Sequence, residues 1–234
     1  YNVSFPEAFW AFLQQAEADH GLLQEFISKR YFDLIRNFRR NYWLLIYLFG
    51  ATPAVDASFI RGRDHKLEPL SLDTYHLPYA TSLRMGDLGY QSHAQQSLHV
   101  CYNNSRSYVQ TLTSAINIPY PAYASKGILD AAGNYQQLNA GLLQIENEFY
   151  SAIRPKRTAK SGETALSALC RRGVEYIEVR CIDIDPFEAT GVSAEQLRFI
   201  DAFLLHCLLS PSPATTPEES REIHANQQIV VTQG

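Results

Sequence analysis

Polar and apolar positions along the chain follow two rhythms. Residues 174–187 (VEYIEVRCIDIDPF) alternate over most of their length, and a period of two predicts a β-strand. Successive strand side chains point to opposite faces. Ile177, Val179 and Cys181 therefore fall on an apolar face, and Tyr176, Glu178 and Arg180 on a polar one. Residues 136–157 give a second strand region. Leu143, Ile145, Phe149 and Ile153 take one face; Gln144, Glu146, Glu148, Tyr150, Arg154 and Lys156 take the other.

Helical spacing marks much of the rest. Ser4-Phe5-Pro6-Glu7 reads as a capping box with Pro in the first turn, opening a helix that turns Phe9, Phe12 and Leu13 inward. Residues 21–49 are helical, with Leu23, Ile27, Leu34 and Phe38 on one side and Arg30, Arg36, Arg39 and Arg40 forming a solvated face. Helices are also expected over 106–115 and over 161–172, where Gly173 supplies the C-terminal cap. A further helix follows the capping box Ser193-Ala194-Glu195-Gln196, burying Leu197, Ile200, Phe203, Leu204 and Cys207. The last starts at Thr216-Pro217-Glu218-Glu219. Residues 123–129 suggest a short helical turn, and Gly133-Asn134 a chain reversal. Residues 50–72 read as loop. Residues 77–90 (LPYATSLRMGDLGY) keep neither period and read as a candidate binding loop. Uneven mixing of helices with antiparallel-looking strands points to an α+β fold rather than repeated βαβ units.

Composition narrows the class. The 234 residues suffice for one large domain or two small ones with a real core. Hydrophobic content of 46% and charged content of 19% describe an ordinary globular protein, and fourteen Tyr with twelve Phe suggest aromatic-lined pockets or dense helix packing. A net charge of −4 gives no sign of a nucleic-acid partner. The longest apolar run, residues 43–49, is far short of the roughly 20 residues a membrane helix needs. Cys101, Cys170, Cys181 and Cys207 lack CxxC spacing and read as free thiols of a reducing, cytoplasmic compartment, although spacing alone leaves a disulfide open. His206 and Cys207 are helix neighbours and do not face each other, which argues against a Cys–His nucleophile.

The chain carries no GxxxxGK[ST], GxGxxG, GxSxG, HExxH or CxxC motif. What remains is carboxylate, arginine and tyrosine on strands. Hard cations such as Mg²⁺ take carboxylate and phosphate oxygens. Arginine suits a phosphoryl group in transfer. Glu178 and Arg180, two positions apart on one face, fit such a site, although spacing alone favours a cross-strand ion pair on a solvated face. Residues 154–163 (RPKRTAKSGE) put cations at Arg154, Lys156, Arg157 and Lys160, with Pro and Gly keeping the run irregular. It reads either as a solvated loop or as a flap over a polyphosphate.

Five blocks carry a resemblance: YNVS at the start, YLFGATPA (47–54), LPYATSLRMGDLGY (77–90), LLQIENEFYSAIRPKR (142–157) and GVEYIEVRCIDIDPF (173–187). In content and order they closely resemble the proteobacterial glutamate–cysteine ligase family. The resemblance implies ATP- and Mg²⁺-dependent phosphorylation of the glutamate γ-carboxylate, followed by attack of the cysteine amine. It implies a glutamine synthetase-like carboxylate–amine ligase fold, an antiparallel sheet curved into a funnel with helices packed outside. It also implies that Glu178 binds metal, with Glu146 and Glu148 as weaker candidates, for which structural ion pairing is the competing reading. Arg180 meets the transferred phosphate. Arg84, Tyr90 and Tyr150 line the amino-acid pocket. The flap reading of residues 154–163, apart from the resemblance, puts Arg154 and Lys156 at the nucleotide.

In the resembling family a metal-binding histidine directly precedes the YN at the start, further acidic ligands lie upstream, and the chain continues beyond residue 234. Residues 1–234 are therefore expected to be the central part of a single catalytic domain, without a complete metal site of their own. Expected partners are the small molecules glutamate and cysteine, with neither nucleic acid nor membrane, and a monomer is expected. Two alternatives stay open: a catalytically inactive fragment or binding module that keeps the pocket walls, and a ligase joining glutamate to another amine, against which the 77–90 block argues.

Overall fold

The computed structural model describes residues 1–89 and 98–234. These form two compact units, one of Tyr1 with residues 33–89 and 179–234, the other of residues 2–32 and 98–178. Helices mix with short antiparallel strands in two three-stranded sheets.

The first unit is built on helix packing. It contains the C-terminal half of α2 (Leu23–Asn41), then α3 (Trp43–Phe49), α8 (Ala194–Leu209) and α9 (Pro217–Gln233). Leu34, Ile35, Phe38, Leu45, Ile46, Ile200, Leu204, Cys207 and Val231 are all buried. Phe38 packs edge-on against Phe203, with ring centres 5.7 Å apart. α8 opens with the expected capping box, the Ser193 hydroxyl accepting from Gln196 N–H and the Gln196 side chain accepting from Ser193 N–H. Thr216 caps α9 ahead of Pro217. Arg36 corrects the solvated-face reading. It is 5% exposed, pairs with Asp33, and donates to the carbonyls of Ser212 and Pro213, fixing the α8–α9 connection. Arg40 pairs with Glu219.

Residues 50–72 are not simply loop. β2 (Ala54–Asp56), α4 (Ala57–Ile60), β3 (Glu68–Ser71) and β4 (Thr74–His76) form a small sheet in the order β2-β4-β3, over a core of Ile60, Leu67 and Leu83. The strands are three or four residues long, too short for alternation to show, and they exist because β4 pairs on both sides.

The second unit holds a sheet of order β1-β6-β5, from β1 (Asn2–Val3), β6 (Tyr176–Val179) and β5 (Ile153–Lys156). It also holds α1 (Glu7–Ala16), the first part of α2, α5 (Ser105–Asn117), α6 (Pro121–Ala124) and α7 (Ala165–Arg172). Ile153, Ala168, Leu169, Val174 and Ile177 are buried together with Leu143. α1 departs from expectation at its start: Pro6 is the N-cap and no side chain caps the helix. Trp10 and Leu13 face inward, while Phe12 is 68% exposed. Trp10 rather than Phe12 completes the aromatic cluster with Phe5 and Tyr31.

Both predicted strand regions shrink. Within 136–157 only Ile153–Lys156 is strand. Residues 146–148 are a 3-10 turn and Tyr150 lies outside regular structure, so the shared face proposed for Glu146, Glu148 and Tyr150 does not exist. Ile145 is 41% exposed. Within 174–187 the ladder covers Tyr176–Val179. Arg154 and Lys156 lie in β5 rather than in a flap. Pro155 is tolerated there because β5 is an edge strand.

Candidate active site

The two informative strands carry polar groups in the second unit. β6 buries Ile177 and Val179 and leaves Tyr176 and Glu178 half-buried on its other face, as strand alternation requires. Lys156 of β5 brings its ammonium to 3.8 Å from Glu178 Oε2. That oxygen is enclosed and accepts no hydrogen bond among the described residues. A buried carboxylate oxygen normally finds a donor, so this one is suited to a ligand. The Tyr176 hydroxyl is held above its ordinary pKa by burial and then by Glu178 and Glu175, which keeps it protonated.

Arg154, on β5 with Lys156, is 4% exposed and donates to the Asn147 carbonyl at 3.1 Å. Arg154, Lys156, Arg157, Glu146 and Tyr108 line one recess against α7. Burial pushes the Tyr108 hydroxyl well above its ordinary range, Tyr102 adding to the shift, so it is a proton-bearing group at any physiological pH. Glu146 and Glu148 are engaged by backbone: Glu146 Oε1 accepts from Leu166 N–H in the first turn of α7 at 3.2 Å, and Glu148 Oε2 accepts from Gln144 N–H at 2.7 Å. Tyr150 is half-buried.

The first unit holds Arg84 and Arg180. Arg84 sits in a 3-10 turn, Leu83–Met85, whose neighbours Leu83 and Met85 are buried. Its Nε donates to Asp183 Oδ1 at 2.7 Å, Nη1 to the Arg180 carbonyl at 3.1 Å and Nη2 to the Ile182 carbonyl at 2.9 Å. Gln227 of α9 holds the same turn from behind. It donates to the Met85 carbonyl at 2.6 Å and accepts from the Tyr42 hydroxyl. Arg180 is half-buried just beyond the end of β6. Tyr90 lies outside the described residues.

Among the described residues no group of three or more His, Cys, Asp or Glu is arranged to hold a metal ion. Glu178 has the chemistry of one ligand to a hard cation, an enclosed carboxylate oxygen without a donor. The residues present therefore fit part of a Mg²⁺ site and not a whole one. Sequence reading missed Asp183 and Tyr108. Asp183 has a signal: it lies on the same parity as Ile177, Val179 and Cys181, where a carboxylate must be buried and paired. Among the described residues, no helix is long and apolar enough to cross a membrane.

This chain belongs to the glutamate–cysteine ligase family, whose profile matches residues 1–230. It is 63% identical over 235 aligned residues to the glutamate–cysteine ligase of Saccharophagus degradans, an alignment covering 100% of this chain and 44% of that protein. It is 56% identical over 234 residues to the glutamate–cysteine ligase of Hahella chejuensis, again 44% of its length. The chain thus spans less than half the length of these curated relatives. Its fold superimposes with a TM-score of 0.89 on the crystal structure of the glutamate–cysteine ligase of Francisella tularensis in complex with AMP, at 38% identity, covering 100% of this chain and 45% of that one. A bifunctional glutathione synthetase from Pasteurella multocida shares the fold at a TM-score of 0.69 and 23% identity.

Proposed function

We propose that this chain is part of an ATP-dependent ligase that joins the γ-carboxylate of glutamate to the amine of cysteine, the first step of glutathione synthesis. The observation that carries the reading is the extent of the family match, residues 1–230, which takes in Arg84, Tyr150, Glu178 and Arg180. In this reading the fold is that of the glutamine synthetase-like carboxylate–amine ligases, with a curved antiparallel sheet and helices outside. Residues 1–234 are then part of a single catalytic domain, and ATP and a free-thiol substrate place the reaction in the cytoplasm.

The chemistry runs in two displacements. The γ-phosphoryl group of ATP bonds to a glutamate carboxylate oxygen as its bond to the β-phosphate oxygen breaks, so that ADP departs and an acyl phosphate forms. The cysteine amine then attacks the acyl carbon, phosphate departs with the C–O electron pair, and the amine loses a proton. Mg²⁺, when bound, supplies charge that offsets the phosphate oxygens, and Glu178 is one residue that would hold it. Arg180 stabilises the charge on the phosphoryl group as it moves, with a planar fork that a point charge cannot replace. Arg154 and Lys156 lend positive charge toward the polyphosphate. Arg84, Tyr90 and Tyr150 position the incoming amino acid, a proximity effect that reaches several kcal/mol in favourable cases.

The test is phosphate release from ATP by the protein as encoded, with glutamate plus cysteine, glutamate plus 2-aminobutyrate, and glutamate alone. Release matching dipeptide formation supports the ligase. Binding of glutamate or nucleotide with no phosphate release in any mixture indicates a binding module instead. Arg180→Ala should lower turnover by roughly 10²–10³-fold with an unchanged melting curve, and Arg180→Lys should also be poor. Near-normal turnover in Arg180→Ala removes that residue from the mechanism.

A further inference from the structure

Asp183 has a completely enclosed side chain and accepts three hydrogen bonds from three places. Oδ2 takes the Ala51 backbone N–H at 3.0 Å and the Thr52 hydroxyl at 2.7 Å, and Oδ1 takes Arg84 Nε at 2.7 Å. The Thr52 carbonyl in turn accepts from Leu83 N–H at 2.8 Å, so the 51–52 segment and the turn carrying Arg84 are bonded to each other as well as to Asp183. Arg84 passes the constraint on, with its two terminal nitrogens on the carbonyls of Arg180 and Ile182.

Burying a carboxylate and a guanidinium together is a poor way to gain stability, because both lose their water. What the pair does supply is geometry. The guanidinium is planar, and with three of its nitrogens committed to one carboxylate and two carbonyls its plane is fixed. The same bonds fix the 180–181 and 182–183 peptides, and one of those carbonyls belongs to Arg180 itself.

We propose that Asp183 is a positioning residue of the ligase site: it fixes the plane of Arg84 and, through Arg84, the backbone that presents Arg180. The proposal rests on the reading of Arg180 as the phosphoryl-contacting group. It also gives Arg84 a second task beyond contact with an amino-acid substrate, that of a clamp on the chain just past β6.

The test uses Asp183→Asn in the protein as encoded, a substitution that keeps the shape and removes the charge. Two readouts are taken. Hydrogen exchange should quicken at least about tenfold at the amides of residues 51–52 and 180–183, with exchange elsewhere unchanged. The kcat per folded site should fall about 10–100-fold, as displacements near 1 Å in a positioned site do, while KM for ATP stays within about threefold. A role in stability alone would lower the melting temperature and the folded fraction, leaving kcat per folded site and the 180–183 amides as they are; that result overturns the proposal. Should Asp183→Asn not fold, Arg84→Lys keeps a cation opposite Asp183 and removes the fork to the 180 and 182 carbonyls, and hydrogen exchange at residues 180–183 without substrate decides: faster exchange there supports the clamp, and unchanged exchange overturns it. If the unaltered protein shows no ATP-dependent ligation, the ligase reading fails on its own. Exchange then still decides whether the clamp exists.

Discussion

Gly173 controls how the chain enters β6, and Gly173→Ala should destabilise the protein by about 2–4.5 kcal/mol. The residue ends α7 at φ 72° and ψ −174°, a region essentially reserved for glycine, where another residue costs about 1–3 kcal/mol. An alanine Cβ would also stand 2.4 Å from Ser28 Oγ and 2.9 Å from Gln24 Nε2. Both atoms hold the next residue: Ser28 Oγ accepts from Val174 N–H at 3.1 Å, and Gln24 Nε2 donates to the Val174 carbonyl at 2.9 Å. Displacing them weakens two bonds worth about 1 kcal/mol each. The smaller entropy of an unfolded alanine chain returns about 0.4–1 kcal/mol. Gly133→Ala is the matched control, because Gly133 has φ 83° with nothing within 4 Å of the added carbon and should cost only the conformational term, about 1–2 kcal/mol. Urea titration of both variants at constant m-value measures the difference. Equal losses would refute the steric argument, and a loss under about 1 kcal/mol for Gly173→Ala would refute the conformational one as well.

Other expectations follow from the buried groups. At pH 8 N-ethylmaleimide should label exposed Cys170 first and reach Cys181 and Cys207 only on unfolding, since burial pushes both of those thiols up to about 12. Raised folded values mean that their contribution to stability is complete below the ordinary thiol value near 9 and declines as pH rises from there toward 12, which alkaline melting curves would register; native labelling of Cys207 at the rate of Cys170 would contradict this. Gln227→Ala removes the bonds to the Met85 carbonyl and the Tyr42 hydroxyl and should cost about 2–4 kcal/mol in chemical denaturation, an effect a surface glutamine would not show.

Helix boundaries can be read from the chain where they are local events. Ser193 and Gln196 satisfy each other's backbone groups within four residues, and at α9 the Thr216 hydroxyl accepts from Glu219 N–H ahead of a proline that has no N–H to satisfy, so neither start depends on distant packing. Strands here are the opposite case. The β2-β4-β3 sheet has strands of three or four residues whose pairing is set by neighbours in space, and nothing in residues 50–72 announces it. Residues 136–157 mislead for a related reason. The alternation of Leu143, Ile145, Phe149 and Ile153 is real in the sequence, yet Leu143 N–H bonds to the Ala115 carbonyl of α5 and residues 146–148 turn, so the chain leaves the sheet direction that a period of two implies. The arginines of α2 show how a polar residue at helical spacing hides a structural role: Arg36 is enclosed because the 212–213 segment crosses above it, a contact of |i−j| near 176 that no local pattern contains.

The site divides along the same line. Alternation in 174–187 outlives the ladder that justifies it: β6 stops at Val179, but Cys181 and Asp183 are still buried and Arg180 and Ile182 are still half-buried. The backbone past residue 179 is therefore kept extended by something other than strand pairing. The bonds that do it are those of Arg84 to the 180 and 182 carbonyls and of Asp183 to Arg84, Ala51 and Thr52. An aspartate at a position where the pattern demands an apolar residue is thus the trace, in one dimension, of a polar substitute for a missing strand. An apolar residue at 183 would fill the same space and leave the guanidinium of Arg84 without a fixed plane.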